Sequence, residues 1–268
     1  YVHCRNALLR SFERLTILKR CIKQTHSMST NNILFVFEGE RTEKQIADNL
    51  PAFFLDSNTV ITCAYCNNLY QLFEDISIDE DLDTFMLLKE KVINVELQRF
   101  DRDDFAEIYL FFDYDGHDTM ADDFKTEKLL MFFNEETDKG KLYISYPMVE
   151  SLKHYSDLHS FQHLKVECKK NINYKNLVSQ TCAKELIQFK KYDAKIWEML
   201  IVAHLQKMNY IVIDRFRFPN TLFLQSDIFE KQLEKYIKID STVAVLSAFP
   251  IFLHDYFGNT GLRKRLGL

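Results

Sequence analysis

The chain is poor in glycine and proline, six and four in 268 residues. It also lacks low-complexity tracts, whereas 47% of its residues are hydrophobic and 23 are Phe, so a dense packed interior is expected and disorder is not. No run of eighteen apolar residues occurs, which excludes an ordinary membrane-spanning helix, and there is no signal-peptide pattern. Six cysteines spread over this length suit a reduced, cytoplasmic protein. Cys63-x-x-Cys66 has no second Cys-x-x-Cys to complete a zinc set, so buried thiols are expected. His154, His159 and His163 lack partner acids and regular spacing, and read as surface or helix-end residues. No Gly-x-x-x-x-Gly-Lys-Ser/Thr is present, so no ATP-binding loop is expected.

The net charge of −5 conceals an asymmetry. Residues 1–150 carry 16 basic and 28 acidic side chains, a net of −12, whereas residues 151–268 carry 18 and 11, a net of +7. An acidic centre beside a basic module suits an enzyme acting on a polyanion, and solvated helix faces explain the same numbers.

Three apolar runs end in acids. Ile33-Leu34-Phe35-Val36-Phe37 stops at Glu38 and has the length and composition of a strand covered on both faces. Gly39 allows a tight turn, and Thr42 can cap a helix with Ile46, Ala47 and Leu50 on one face, ended by Pro51. Ile108-Tyr109-Leu110-Phe111-Phe112 stops at Asp113-Tyr114-Asp115, where extended-chain alternation points both aspartates the same way. Leu142-Tyr143-Ile144-Ser145 continues through Tyr146-Pro147-Met148-Val149 to Glu150 at a helix start. Acids gathered at one sheet edge repel one another and normally persist there because a hard cation offsets them.

A strand ending in Glu38-Gly39, a strand ending in Asp113-x-Asp115 and a third acid downstream resemble the Toprim family. The form Glu38-Gly39-x-x-x-Glu43 is most similar to its OLD-type, RloB-like and AriB-like anti-phage branch, and Glu150 to that branch's third acidic motif. The resemblance covers about residues 28–160. It implies a small parallel α/β sheet flanked by helices, followed here by a mainly α-helical half. It further implies a Mg²⁺- or Mn²⁺-dependent endonuclease cleaving DNA or RNA, tRNA included, as an effector of bacterial anti-phage defence. Asp113, Asp115 and Glu150 would be metal ligands, and Glu38 a ligand or the general acid/base. Glu43 would add an outer contact. No Tyr motif nominates a topoisomerase nucleophile. A separately encoded ATPase is the partner the resemblance implies; a homo-oligomer is left open by the sequence. The alternative is a non-catalytic Toprim-like interaction subunit of a larger ATPase-containing complex.

Three segments are expected: an extension over 1–27 with Leu8, Leu9, Phe12, Leu15 and Leu18 at helical spacing, upstream of a start at Met28; the Toprim-like domain over 28–160; and a helical domain over 161–268. Within them, Thr59–Tyr65 reads as a strand, and Asn67-Asn68 opens a helix at Leu69. Asp79, Glu80, Asp81 and Asp83 begin a helix running to Phe100. Asp118 caps the helix bearing Met120, Phe124, Leu129, Leu130 and Phe133. Further helices are expected over 183–208, 222–239 and 243–257, the last kinked at Pro250, before a Gly-punctuated tail. The cations expected to hold nucleic acid are Lys169, Lys170, Lys190, Lys191, Arg263, Lys264 and Arg265.

Overall fold

The computed structural model describes residues 31–50, 59–66, 68–78 and 83–268. The extension 1–27, the start at Met28, Pro51, Asn67 and the acids Asp79, Glu80 and Asp81 lie outside them. In chain order the elements are β1 (Asn31–Phe37), α1 (Thr42–Asn49), β2 (Thr59–Tyr65), α2 (Leu69–Ile78), α3 (Thr84–Glu90), β3 (Glu107–Asp113), α4 (Asp123–Phe132), β4 (Asn134–Glu135) and β5 (Gly140–Ser145). There follow α5 (Leu158–His163), β6 (Lys165–Glu167), α6 (Tyr174–Thr181), α7 (Ala194–Ile213), α8 (Gln225–Gln232), β7 (Thr242–Ala244) and α9 (Ala248–Arg265).

The fold is α/β, built on a five-stranded sheet of order β2-β1-β3-β5-β4 in which only β4 runs antiparallel. The two central apolar runs form β1 and β3, and Ile33–Phe37 and Ile108–Asp113 are buried without interruption. Such runs suit strands covered on both faces. Because the chain leaves β1 toward β2 and later returns to the other side of β1 as β3, the strand order reverses between their carboxyl ends. In open α/β sheets that reversal opens a crevice for ligands.

One sheet face is aromatic. Phe35, Tyr109, Phe111 and Tyr143 share it by two-residue alternation and cross-strand register. α9 covers it: Phe249 stacks on Phe111 with centroids 4.7 Å apart and planes 8° apart, and Phe252 meets Phe35 edge-on at 5.2 Å. Edge and stacked pairs add about 0.5–1.5 kcal/mol each beyond the area they bury. The basic half therefore contributes a layer to the sheet's own core. A bridge between Tyr146 and Leu246 fastens the start of this layer to the end of β5.

Several local expectations need correction. The helix expected up to Phe100 stops at Glu90, because Lys91 is extended and Asn94 non-helical; only a 3-10 segment follows. The long helix begins at Ala194, not 183: two short 3-10 turns precede it, and Asp193 caps it by accepting from the Ile196 amide. Tyr210–Ile213 extends that helix. Residues 243–246 are not helical, and β7 pairs antiparallel with β6. Pro250 lies in the first turn of α9, where its missing N–H costs nothing. The break falls instead at Gly258, at φ 66°, and helix continues through Arg265 where a tail was expected. Asp118 does not cap α4, a role taken by Asp122, and Met120 lies before that helix. Asp83 does cap α3.

Candidate functional site

Glu38, Glu43, Asp113 and Glu150 open onto one cleft of about 930 Å³ at the carboxyl ends of β1 and β3. Four separate stretches deliver them. Glu38 follows β1 directly, and Asp113 closes β3. Glu150 is reached from β5 through the cis Tyr146–Pro147 bond and sits in the 3-10 turn Val149–Lys153. Glu43 lies in the first turn of α1.

Gly39 leaves close room for the Glu43 side chain. Its φ is not positive, but a Cβ there would stand 3.0 Å from both carboxylate oxygens of Glu43, which fold back beneath the turn. The backbone amides of Gly39 and Glu43 donate to that carboxylate. Thr42 is not the cap: α1 begins at Thr42, and Arg41 stands in the capping position without a side-chain cap.

The strand ends at Asp113, so alternation does not govern Asp115. That residue adopts φ 38°, its amide donates to Pro147 O at 3.2 Å, and its carboxylate stands 2.6 Å from His117 Nδ1. Tyr114 points away, donating to Asp123 at 2.5 Å. Asp115 lines a smaller adjoining cavity of about 170 Å³ with His117, Lys170 and Lys175. Asp118 accepts from Met120 N at 2.7 Å and from Asn68 Nδ2 at 3.2 Å.

The acids are buried without matching charge. Asp113 is 8% exposed, Glu43 7% and Glu150 2%. Burial, then the charge of Asp115, pushes Glu38 up to about 7. Burial, then Glu38, Glu43 and Glu150, holds Asp113 well above the usual carboxylate range. Burial likewise raises Asp115, against the pull of His117, and raises Glu43. Glu38 Oε2 and Glu150 Oε2 have no hydrogen-bond partner. Among the described residues the ion pairs offered to these five acids are two, Lys175 with Glu150 at 3.4 Å and His117 with Asp115.

This donor set is all carboxylate oxygen, part of it unpartnered, and its chemistry fits a hard divalent cation. Among the described residues no three of these side chains stand together as a set that could already hold a metal ion.

The expected nucleic-acid cations scatter. Lys169 is engaged with Tyr114 Oη at 2.9 Å and with Asp123 at 3.1 Å. Lys170 lies beside Asp115. Lys190 and Lys191 adjoin the far end of α1, where Asn49 donates to Tyr192 O. Arg263, Lys264 and Arg265 end α9, which starts at the acid edge and runs to the opposite one; Arg263 donates to Pro219 O and lies over Phe218. His154 is not on the surface: it is buried, 3.0 Å from Tyr174 Oη. Sequence reasoning missed Arg41, Lys91 and Lys175 at the cleft. Arg41 follows the acidic motif closely enough to have been noticed, whereas Lys175 arrives from a remote helix and leaves no local signal.

Among the described residues no helix is long and apolar enough to cross a membrane. Compared with protein families, curated proteins and solved structures, the chain matches none.

Proposed function

We propose that the cleft is the active site of a cytoplasmic, Mg²⁺- or Mn²⁺-dependent nuclease of Toprim-like fold, hydrolysing phosphodiester bonds in DNA or RNA as an effector of anti-phage defence. The observation that carries this reading is the arrival of Glu38, Glu43, Asp113 and Glu150 from four stretches at one cleft, at the strand-order reversal, with only Lys175 paired to any of them among the described residues. The resemblance of Glu38-Gly39, Asp113-x-Asp115 and Glu150 to the OLD-type branch supports the same reading and adds the defence role and an ATPase partner.

Asp113, Asp115, Glu38 and Glu150 would hold the cation, which when bound offsets the acids and polarises a phosphodiester. Glu38, with one oxygen unpartnered, is the group placed to hold either cation or proton. Glu43 is kept by the Gly39 and Glu43 amides and braces the turn carrying Glu38. The His117 contact and the Pro147 carbonyl fix Asp115.

A second reading, a non-catalytic interaction subunit of an ATPase-containing complex, is favoured by the absence among the described residues of three acids already assembled around one point. The test is a nuclease panel of supercoiled DNA, linear DNA and total tRNA, in EDTA and in millimolar Mg²⁺ or Mn²⁺, with and without a candidate ATPase. Metal-dependent cleavage lost in Asp113→Asn and Glu38→Gln supports the enzyme. Full activity in the Asp113→Asn/Asp115→Asn double variant removes the site assignment.

A further inference from the structure

The cleft is not only acidic. Its walls include Tyr65, Ile93 and Met148, and Arg41, Lys91 and Lys175 also line it. Arg41 is exposed, in the turn between Glu38 and α1, and Lys91 closes α3 with its Nζ 3.7 Å from Asp75. Tyr65 and Ile93 are tied together through Asn94. Its side chain accepts from Tyr65 N at 2.8 Å and donates to Tyr65 O and Leu88 O, each at 2.8 Å. Ile93 is 50% exposed and its neighbours Val92 and Val95 are 90% and 68% exposed. Ile93 thus gives the cleft an exposed apolar wall residue, held in place by the buried Asn94 beside it in the chain.

The depth of the acids limits what can reach them. Glu150 is 2% exposed with Oε2 unpartnered, so a phosphodiester must pass the rim to meet it. A duplex carries its phosphates on the outside of a stiff rod whose major groove alone is about 12 Å wide. A cleft of about 930 Å³ falls in the roughly 300–1,000 Å³ range of single small-ligand sites. It admits a nucleotide freed from its pairing partner. Such a nucleotide exposes the face of its base, which an aromatic and aliphatic wall covers, while cations at the rim attract its phosphates.

Resting on the nuclease reading, we infer that the substrate is an unpaired strand, seated with a base against Tyr65 and Ile93 and its phosphates between Arg41, Lys175 and the acids. The strand is a loop, bulge or end of RNA or DNA.

The test is fluorescence anisotropy on the full chain in millimolar Ca²⁺, with a short labelled DNA strand, its RNA counterpart and the two matching duplexes. The strand is expected to bind at least about tenfold tighter than its duplex. Tyr65→Ala and Ile93→Asp are each expected to weaken strand binding about tenfold, with Tyr65→Phe retaining it. Arg41→Glu is expected to weaken binding and lower its salt dependence. Ile93 is exposed, so its substitution reads the wall even where Tyr65→Ala disturbs the end of β2. Equal or tighter duplex binding, or indifference to both wall substitutions, overturns the unpaired-strand inference alone. No affinity for any of the four probes overturns the nucleic-acid reading of the cleft itself.

Discussion

Among the described residues, two groups of buried ionisable side chains differ in how they are partnered. In the cleft, Glu38, Asp113, Glu43 and Glu150 are like charges around an open volume, with oxygens left unpartnered. Around α7, His204, His154 and Lys207 are enclosed and satisfied by neutral partners. Ser247 N donates to His204 Nδ1 at 3.1 Å and His204 Nε2 meets Leu152 O, which fixes a neutral ring. Lys207 donates to Leu164 O at 2.5 Å and lies 4.4 Å over the Phe161 ring. Burial lowers His204 to about 3 and His154 to about 4, and holds Lys207 well below its ordinary value. A group closed in by neutral partners is structural. A group left short of partners beside a cavity is a candidate to meet a ligand.

The largest expected effect comes from removing one acid. Asp113→Asn should abolish metal-dependent cleavage, by more than about 10³-fold, yet raise the melting temperature of the metal-free protein by a few degrees because it relieves repulsion. His204→Ala should do the reverse to stability, lowering it by about 2 kcal/mol as the Ser247 amide loses its acceptor. A melting temperature that falls in Asp113→Asn as it does in His204→Ala would erase the distinction between the two regions.

Next in size is the pH dependence of stability. For Glu38 the folded value, about 7, exceeds the ordinary 4.5. The native state then binds the extra proton between these values, and stability falls as pH rises from about 4.5 to 7. For His204 and His154 the folded values, about 3 and 4, lie below 6.5, so the unfolded state binds the extra protons and stability is lost as pH falls through that window. The windows overlap between about pH 4.5 and 6.5, where the two contributions oppose each other, so metal-free melting curves from pH 4 to 8 separate them by comparison of variants. Glu38→Gln should lift the neutral side alone, by about 1–2 kcal/mol after allowance for solvent at the cleft mouth. His204→Gln should flatten the acid side alone. A single variant that moves both sides would couple what the structure keeps apart.

A smaller effect is expected from the cation. Mg²⁺ or Mn²⁺ at ten times its dissociation constant stabilises by about 1.4 kcal/mol, or a few degrees by scanning fluorimetry, and Asp113→Asn should remove that shift. The smallest belongs to Lys190→Glu/Lys191→Glu. Near the far end of α1, these charges should change strand affinity by less than about twofold, whereas Arg41→Glu changes it clearly. Equal effects would mean that the polyanion wraps the whole molecule.

Part of the cleft was legible in the sequence because two of its acids end buried runs. Glu38 after Ile33–Phe37 and Asp113 after Ile108–Phe112 need only strand periodicity and the position of the first charge. What escaped depends on contacts between distant residues. Thr42 has the right chemistry for a cap, but it is already the first helical residue, and Arg41 takes the capping position. Asp115 is turned into the adjoining cavity by a left-handed residue that no alternation rule describes. Charge totals made the whole second half a candidate polyanion surface, whereas Lys169 is taken up by Asp123 and Arg263 by Pro219. The helix expected over 183–208 starts eleven residues late because Asp193 supplies a better cap than anything before it.

The layer that α9 forms over β1, β3 and β5 has a consequence in time. Phe35 and Phe111 keep one face wet until Phe249 and Phe252 have been synthesised, and the loops that present Glu38 and Asp113 spring from those same strands. Parallel pairings over such sequence separations form slowly, after the local helices. A growing chain on the ribosome therefore carries every acid of the cleft long before it holds them in place. On the proposed nuclease reading, a chain built this way would be inert toward the transcript and the transfer RNAs around it until α9 has docked.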